Sequence, residues 1–256
     1  MSKTLNKIQF EKKLRNLYIR RHKTSKEIGE ILGLSSRTVC KYLKKYGIEI
    51  NRNQRKFEKI KGKEFTQEQR DIIIGTLLGD GSISKHGRTG HRLSISHCAE
   101  QKNLVLWKKK HLFPFIGKLM YSFDKRDNSL MWTIRSYVHK EFDYYYNLFY
   151  HNGKKEITEI LEQFITPLSL AVWYFDDGSL NKVSAKLSTE GFTEKENHIL
   201  QEILMRKFNI EAKVRKAIHN EKEYFYLAFN KADTQKFLQL TECYKIKCME
   251  YKWGKR

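Results

Sequence analysis

The stretch IIIGTLLGDG (Ile72–Gly81) decides the fold, because a second stretch, LAVWYFDDG (Leu170–Gly178), repeats its course. In the first, Ile72, Ile73, Ile74, Leu77 and Leu78 surround Gly75 and Gly79. In the second, Leu170, Ala171, Trp173, Tyr174 and Phe175 do the same without glycines. Helices apolar nearly all round belong in a core. Thr66 is placed to cap the first helix, and Thr166-Pro167 to open the second. Gly75 and Gly79 share one helix face and permit a close approach. Each helix runs out in the same four-residue pattern, Asp80-Gly81-Ser82-Ile83 and Asp177-Gly178-Ser179-Leu180.

The sequence downstream repeats as well. After the first motif come a strand (HRLSISH), a helix (EQKNLVLWKKKHLF), a hairpin (KLMYSFDKRDNSLMWTIRSY) and a helix (KEFDYYYNLFY). After the second come AKLSTEGF, EKENHILQEILMRKF, AKVRKAIHNEKEYFYLAFN and DTQKFLQLTECY, in the same order. Asp127-Asn128 and His219-Asn220 fall where hairpin tips belong. Lys155 follows Asp80 by 75 residues, and Lys252 follows Asp177 by 75. The expected fold class is therefore α/β (α+β), with two pseudo-symmetric halves, residues 65–165 and 166–256.

Residues 1–48 read differently, as a small all-α domain. Phe10, Leu14, Leu17 and Tyr18 form one helical face. TSKEIGEILGLSSRTVCKYLKKYGI (residues 24–48) then gives a capping box (Thr24, Glu27), a glycine turn at Gly33 and a second helix capped by Ser35 or Ser36. Ile28, Leu32, Leu34 and Val39 would fill its core, with Gly29 at a close helix crossing. This helix-turn-helix pattern would offer Ser36, Arg37, Thr38 and Lys41 to a DNA major groove. Residues 49–64 form a basic linker that either tracks phosphates or acts as a solvated spacer.

Charge agrees with a polyanionic partner. The chain of 256 residues carries 50 Lys+Arg against 29 Asp+Glu, a net charge of +21, and residues 1–62 alone carry +13. Hydrophobic residues at 40% exclude global disorder. No apolar run is long enough to span a membrane, and the N-terminus lacks a signal-peptide core, so an intracellular location and no membrane partner are expected. Cys40, Cys98, Cys243 and Cys248 form no CxxC pair and are expected as free thiols.

With these residues in place, the chain resembles the LAGLIDADG homing endonucleases, in the single-chain, two-motif branch encoded within introns. The resemblance covers about residues 65–256 and includes NLFYHNGKK (Asn147–Lys155) and CMEYK (Cys248–Lys252). It implies two central helices packed on each other and two antiparallel sheets forming a saddle over DNA. It also implies a monomer that cuts both strands of a long site, leaving 3′ overhangs. Asp80 and Asp177 would be the metal-binding catalytic residues, and Lys155 and Lys252 would match the basic residues beside the two centres. Mg²⁺, or another divalent cation such as Mn²⁺, would be the cofactor, and double-stranded DNA the partner.

The chemistry suits those residue types. Phosphodiester hydrolysis must stabilise charge on phosphorus and activate water, and hard cations on carboxylates do both. Helix C-termini, with their exposed carbonyls, add to a cation site, so Gly79 and Asp176 join the candidate metal set. Asp is disfavoured at a helix C-terminus, and two copies of that choice point to function. Asp176 either assists a metal or caps its helix. Lys155 and Lys252 either stabilise phosphate charge and position water or are surface charge. For DNA contacts, the polar alternation after each motif selects Ser82, Ser84, Lys85, Arg88, Arg92, Ser94 and Ser96, then Lys182, Lys186 and Ser188. The hairpins add Arg135, Lys213 and Arg215. A non-cleaving transcription regulator would have lost the aspartates, which stand here. A maturase that binds intron RNA shares the core. An intein is disfavoured, since the chain opens on Met and has no terminal His-Asn.

Overall fold

A computed structural model describes residues 2–21, 23–48, 50, 60, 62–87, 90–124 and 128–254. The expected linker at 49–64, the DNA-contact candidate Arg88 and the hairpin-tip residue Asp127 lie wholly or mostly outside that set. The chain divides into two compact units, Met1–Lys61 and Gly62–Arg256. No helix among the described residues is long and apolar enough to cross a membrane, and the four cysteines are free.

The first unit is helical: α1 (Ser2–Arg15), a π-helical turn (Asn16–Arg20), α2 (Ser25–Leu32) and α3 (Ser36–Lys45). Thr24 and Glu27 form the expected capping box on α2, and Ser35 rather than Ser36 caps α3. Gly33 ends α2 in the left-handed conformation. A side chain at Gly29 would stand 2.3 Å from the Leu34 carbonyl oxygen, which explains the glycine at this crossing. Leu14, Leu17, Tyr18, Ile28, Val39, Leu43 and Ile48 form the core, with Leu32 and Leu34 packed against it.

The second unit opens with α4 (Gln67–Leu78), followed by β1 (Ser82–Lys85), β2 (His91–Cys98), α5 (Lys102–His111), β3 (Met120–Phe123), β4 (Leu130–Arg135) and α6 (Lys140–Phe149). A two-stranded hairpin, β5 (Tyr150–His151) and β6 (Lys154–Lys155), closes this half. The second half runs α7 (Pro167–Asp177), β7 (Gly178–Asn181), β8 (Ser184–Leu187), α8 (Glu194–Phe208), β9 (Ala212–His219), β10 (Lys222–Phe229) and α9 (Lys231–Thr241), then a 3₁₀ helix, Lys247–Trp253. The two four-stranded antiparallel sheets have the same order, β1-β2-β4-β3 and β7-β8-β10-β9. The repeat in the sequence is thus a repeat in topology.

Helices α4 and α7 form the centre of this unit. Capping boxes start both, Thr66 with Gln69 and Thr166 with Ser169, and Pro167 occupies the first turn of α7. Leu170 through Phe175 are each 0% exposed, because α7 is covered on every side. The helices meet so closely that a side chain at Gly75 would stand 2.3 Å from the Ser169 carbonyl oxygen and 2.7 Å from the Val172 Cβ. Gly79 faces Asp176 in the same way, with only 2.6 Å between a Cβ built there and that of Asp176. The crossing is asymmetric: Gly75 of α4 and Gly79 just past its end receive the Ser169 carbonyl and the Val172 and Asp176 side chains of α7.

Gly75→Ala has no room at this backbone contact. It is expected to cost about 3 kcal/mol, as overpacked cores do. Urea denaturation of the two proteins measures it; an unchanged midpoint would mean the helices do not depend on this approach.

Candidate functional site

The two motif aspartates reach the crossing differently. Asp177 is the last residue of α7. Helix α4 stops at Leu78, because Gly79 leaves helical geometry (φ −98, ψ −135), so Asp80 lies beyond the helix end. The Asp80 side chain is 44% exposed. Its backbone N–H donates to Asp176 Oδ2 at 3.4 Å.

Both lysines placed by the 75-residue spacing reach the end of their own motif helix. Lys155 Nζ donates to the carbonyls of Leu77 (2.8 Å), Gly79 (3.4 Å) and Gly81 (2.8 Å). Lys252 Nζ donates to those of Tyr174 (3.1 Å), Phe175 (2.6 Å) and Asp176 (3.3 Å). Neither is a free surface charge, and Lys252 is 6% exposed. The last carbonyls of a helix lack intrahelical partners and carry partial negative charge, so an ammonium there is favourable. Different local structures deliver the two lysines. Lys155 follows the Asn152-Gly153 turn, both residues at positive φ, whereas Lys252 sits in the 3₁₀ helix.

The local field is strongly coupled. Burial raises the Asp177 carboxyl, and the Asp80 and Asp176 carboxylates raise it further, to about 8 against the pull of Lys155 and Lys252. Burial also acts upward on Asp80, but the His97 hydrogen bond and the charges of His97, Lys108 and Lys252 outweigh it, and its carboxyl lies below the usual range. Burial brings Lys155 down to about 8 against the three aspartates. It lowers Lys252 in the same sense. Three acidic groups and two partly desolvated lysines therefore converge.

The sequence reading missed two members of this cluster. His97 ends the inward-facing row of β2, after Leu93 and Ile95. Its Nδ1 lies 3.3 Å from Asp80 Oδ2 and its Nε2 3.6 Å from Asp176 Oδ1. Lys108 lies on the buried face of α5 with Leu104 and Val105, and its Nζ contacts both Asp176 oxygens at 2.6 and 2.7 Å. Lys108 and the Asp176 side chain are both 0% exposed. A signal existed, since a lysine four residues after Leu104 occupies a core position of an amphipathic helix. It is hidden within the run Lys108-Lys109-Lys110. Asp176 is not a helix cap: its side chain is taken by Lys108.

Ligand atoms of Asp80, His97 and Asp176 lie within 4.8 Å of one another. With Asp177 beside them, its carboxyl driven up by burial and by the neighbouring Asp80 and Asp176 carboxylates, the carboxylates gathered here are the ligand type that a hard divalent cation takes. Gly79 offers its carbonyl, which already accepts from Lys155.

Strand register sorts the expected DNA contacts. Successive side chains alternate between faces, so the pairings Ser82↔Ser94↔Arg135 and Ser84↔Arg92 put these five on one face, with Ser96. Ile83, Leu93, Ile95 and His97 take the other, and Lys85 lies in line with Ile83, apart from the set. In the second sheet, Lys186, Ser188, Lys213 and Arg215 share a face with Ser179, and Lys186 Nζ sits 5.3 Å from the centre of the Tyr226 ring. Lys182 is at positive φ in the β7–β8 turn. In the first unit, Arg37 and Lys41 are exposed on α3. Ser36 hydroxyl pairs with that of Ser25 at 2.8 Å, and Thr38 hydroxyl with that of Ser35 at 2.8 Å.

Comparison with known proteins agrees with this architecture. The chain is 28% identical to the DNA endonuclease I-ChuI of Chlamydomonas applanata over 73% of its own length and 94% of that protein's. It is 26% identical to the cytochrome b mRNA maturase bI2 of Debaryomyces hansenii, over 75% of this chain and 76% of that one. Among solved structures, the homing endonuclease I-WcaI bound to its DNA recognition sequence superposes with a TM-score of 0.69 at 26% identity, covering 80% of this chain and 94% of that one. Mycobacterial proteins named RecA also match, but there the chain spans under half of their length, 46% for that of Mycolicibacterium flavescens. Residues 70–237, which hold both sheets, α7 and α4 from Arg70 onward, match the LAGLIDADG DNA endonuclease family, and the chain belongs to that family.

Proposed function

We propose that this chain is a site-specific, divalent-metal-dependent endonuclease that cuts both strands of a long double-stranded DNA site. The observation that carries the reading is the convergence of Asp80 and Asp177 at the ends of two crossed helices, each followed by a strand that starts a polar sheet face. Each half would address one strand, which gives the pseudo-symmetry a use. Asp80 and Asp177 would hold Mg²⁺ or Mn²⁺. Such a cation supplies Lewis-acid stabilisation of the phosphate and a water of lowered pKa. His97 holds the Asp80 carboxylate in place. Lys155 and Lys252 fix the helix ends from which the two aspartates project, and their charge favours an approaching phosphate. The sheet faces carrying Arg92, Arg135, Lys186, Lys213 and Arg215 would bind the duplex, and Arg37 and Lys41 would extend the footprint. The similarity to a maturase supports intron RNA as a second ligand, which a splicing assay with the host intron tests.

The primary test is digestion of a pooled genomic and randomised DNA library with Mg²⁺, Mn²⁺ or chelator, followed by end sequencing. Metal-dependent ends at one long motif, with 3′ overhangs, are expected; bound but uncut fragments would refute cleavage. Asp80→Asn and Asp177→Asn should each remove about 4 kcal/mol of transition-state stabilisation, roughly a thousandfold in rate. Filter binding to the target should be retained.

The pH dependence has a defined sign. Asp177 titrates near 8 in the fold and near 3.8 when exposed, so the native state holds the extra proton between these values. Metal-free stability should fall as pH rises from about 4 to about 8, and Ca²⁺ should raise the melting temperature most at the upper end. A flat metal-free profile would contradict the burial and crowding of this carboxylate.

For the first unit, the Arg37→Ala/Lys41→Ala double variant should weaken DNA binding and reduce the slope of log K against log salt by roughly 0.9 per lost phosphate contact. An unchanged slope would remove α3 from the interface.

A further inference from the structure

Asp80, His97 and Asp176 by themselves look like a three-ligand cation site, but Asp176 is already occupied. Both its oxygens accept from Lys108 Nζ, at 2.6 and 2.7 Å, and neither side chain is exposed at all. A carboxylate at that depth requires a partner charge, and an ammonium seated on both oxygens repels a divalent ion from the same place. The pocket for this carboxylate exists because Gly79 has no side chain, as the 2.6 Å separation there requires.

The arrangement occurs in one half only. Strand register pairs Ser82 with Ser94 and Ser179 with Lys186, so His97 corresponds to Thr189 in the second half. Thr189 is buried and its hydroxyl donates to Asn197 Oδ1 at 2.5 Å. Leu200 stands as far beyond Thr189 as Lys108 stands beyond His97, and it is 1% exposed. The counterpart of Asp176 is Gly79. The set Lys108, Asp176 and His97 therefore answers to Leu200, Gly79 and Thr189, none of them charged.

We infer that Lys108 is a positioning residue whose ammonium takes the cation position on Asp176, withholds that carboxylate from metal, and leaves Asp80 and Asp177 as the metal-binding carboxylates. His97 stands beside Asp80, its Nδ1 3.3 Å from Asp80 Oδ2 and 3.0 Å from Gln101 Oε1, while its Nε2 makes no hydrogen bond, so Lys108 and not His97 holds Asp176. The inference rests on the metal-dependent reading above.

The test uses the full chain at pH 8.5, with Ca²⁺ as the probe in calorimetric titration and thermal melting. Lys108→Met should lower the metal-free melting temperature, then bind one more Ca²⁺ per chain than the unaltered protein and gain more stability from it. Lys108→Met/Asp176→Asn should lose the additional Ca²⁺ and recover metal-free stability. Equal Ca²⁺ stoichiometry and affinity in Lys108→Met and the unaltered protein would overturn the inference. Should Lys108→Met not fold, the double variant decides. Ca²⁺ stoichiometry equal to that of the unaltered protein supports the inference, and one Ca²⁺ fewer overturns it by making Asp176 a native ligand. Failure of the metal-dependent reading looks different: the unaltered protein would then bind no Ca²⁺ and cut no DNA with any cation.

Discussion

Helices α4 and α7 approach until backbone meets backbone, and the remainder of the second unit follows from that contact. Gly75 admits the Ser169 carbonyl and Val172 side chain, which brings the two C-terminal ends together. Packing of this kind is stiff, because interiors at crystal-like density do not yield without cost. It therefore fixes the separation of whatever the two helix ends carry. The second sheet begins directly after its helix, at Gly178, and the first after three intervening residues, at Ser82, so the polar sheet faces inherit their placement from the same crossing.

That geometry creates an electrostatic problem. Asp80, Asp176 and Asp177 gather where two helix C-termini already concentrate partial negative charge. Three lysines meet it in two ways. Lys155 and Lys252 neutralise carbonyls rather than carboxylates, each spanning the last turn of one helix. Lys108 alone pairs a carboxylate directly. Burial, and then the charges of Asp80 and Asp176, drive the Asp177 carboxyl up to about 8. A site that holds acidic groups together short of positive charge is prepared for a cation.

Much of this was legible in the sequence because its signals are local. Thr66, Thr166 and Thr24 announce caps within three residues, and the apolar runs of α4 and α7 announce burial. The repeated courses announce two equivalent halves. Lys155 and Lys252 were found through register, although their function in capping carbonyls was not. The Lys108–Asp176 pair was invisible because it joins residues 68 apart, and no local pattern distinguishes a core lysine within a basic run. His97 reads as one more residue of an alternating strand until the crossing places two carboxylates beside it. The hairpin at Tyr150–Lys155 gives no strand signal in the sequence, since two residues per strand leave no alternation to detect.

The difference between the halves also bears on why both lie in one chain. Two identical helices crossing at this distance would present the same residue on both sides of the axis. Glycine on both sides leaves the position of Asp176 empty; aspartate on both sides would force two buried carboxylates into the space where a Cβ opposite Asp176 already comes within 2.6 Å. Aspartate received by glycine, with one lysine behind it, is available only when the two helices can differ. A single polypeptide allows that difference, and with it a centre in which one of three aspartates is neutralised internally, by Lys108.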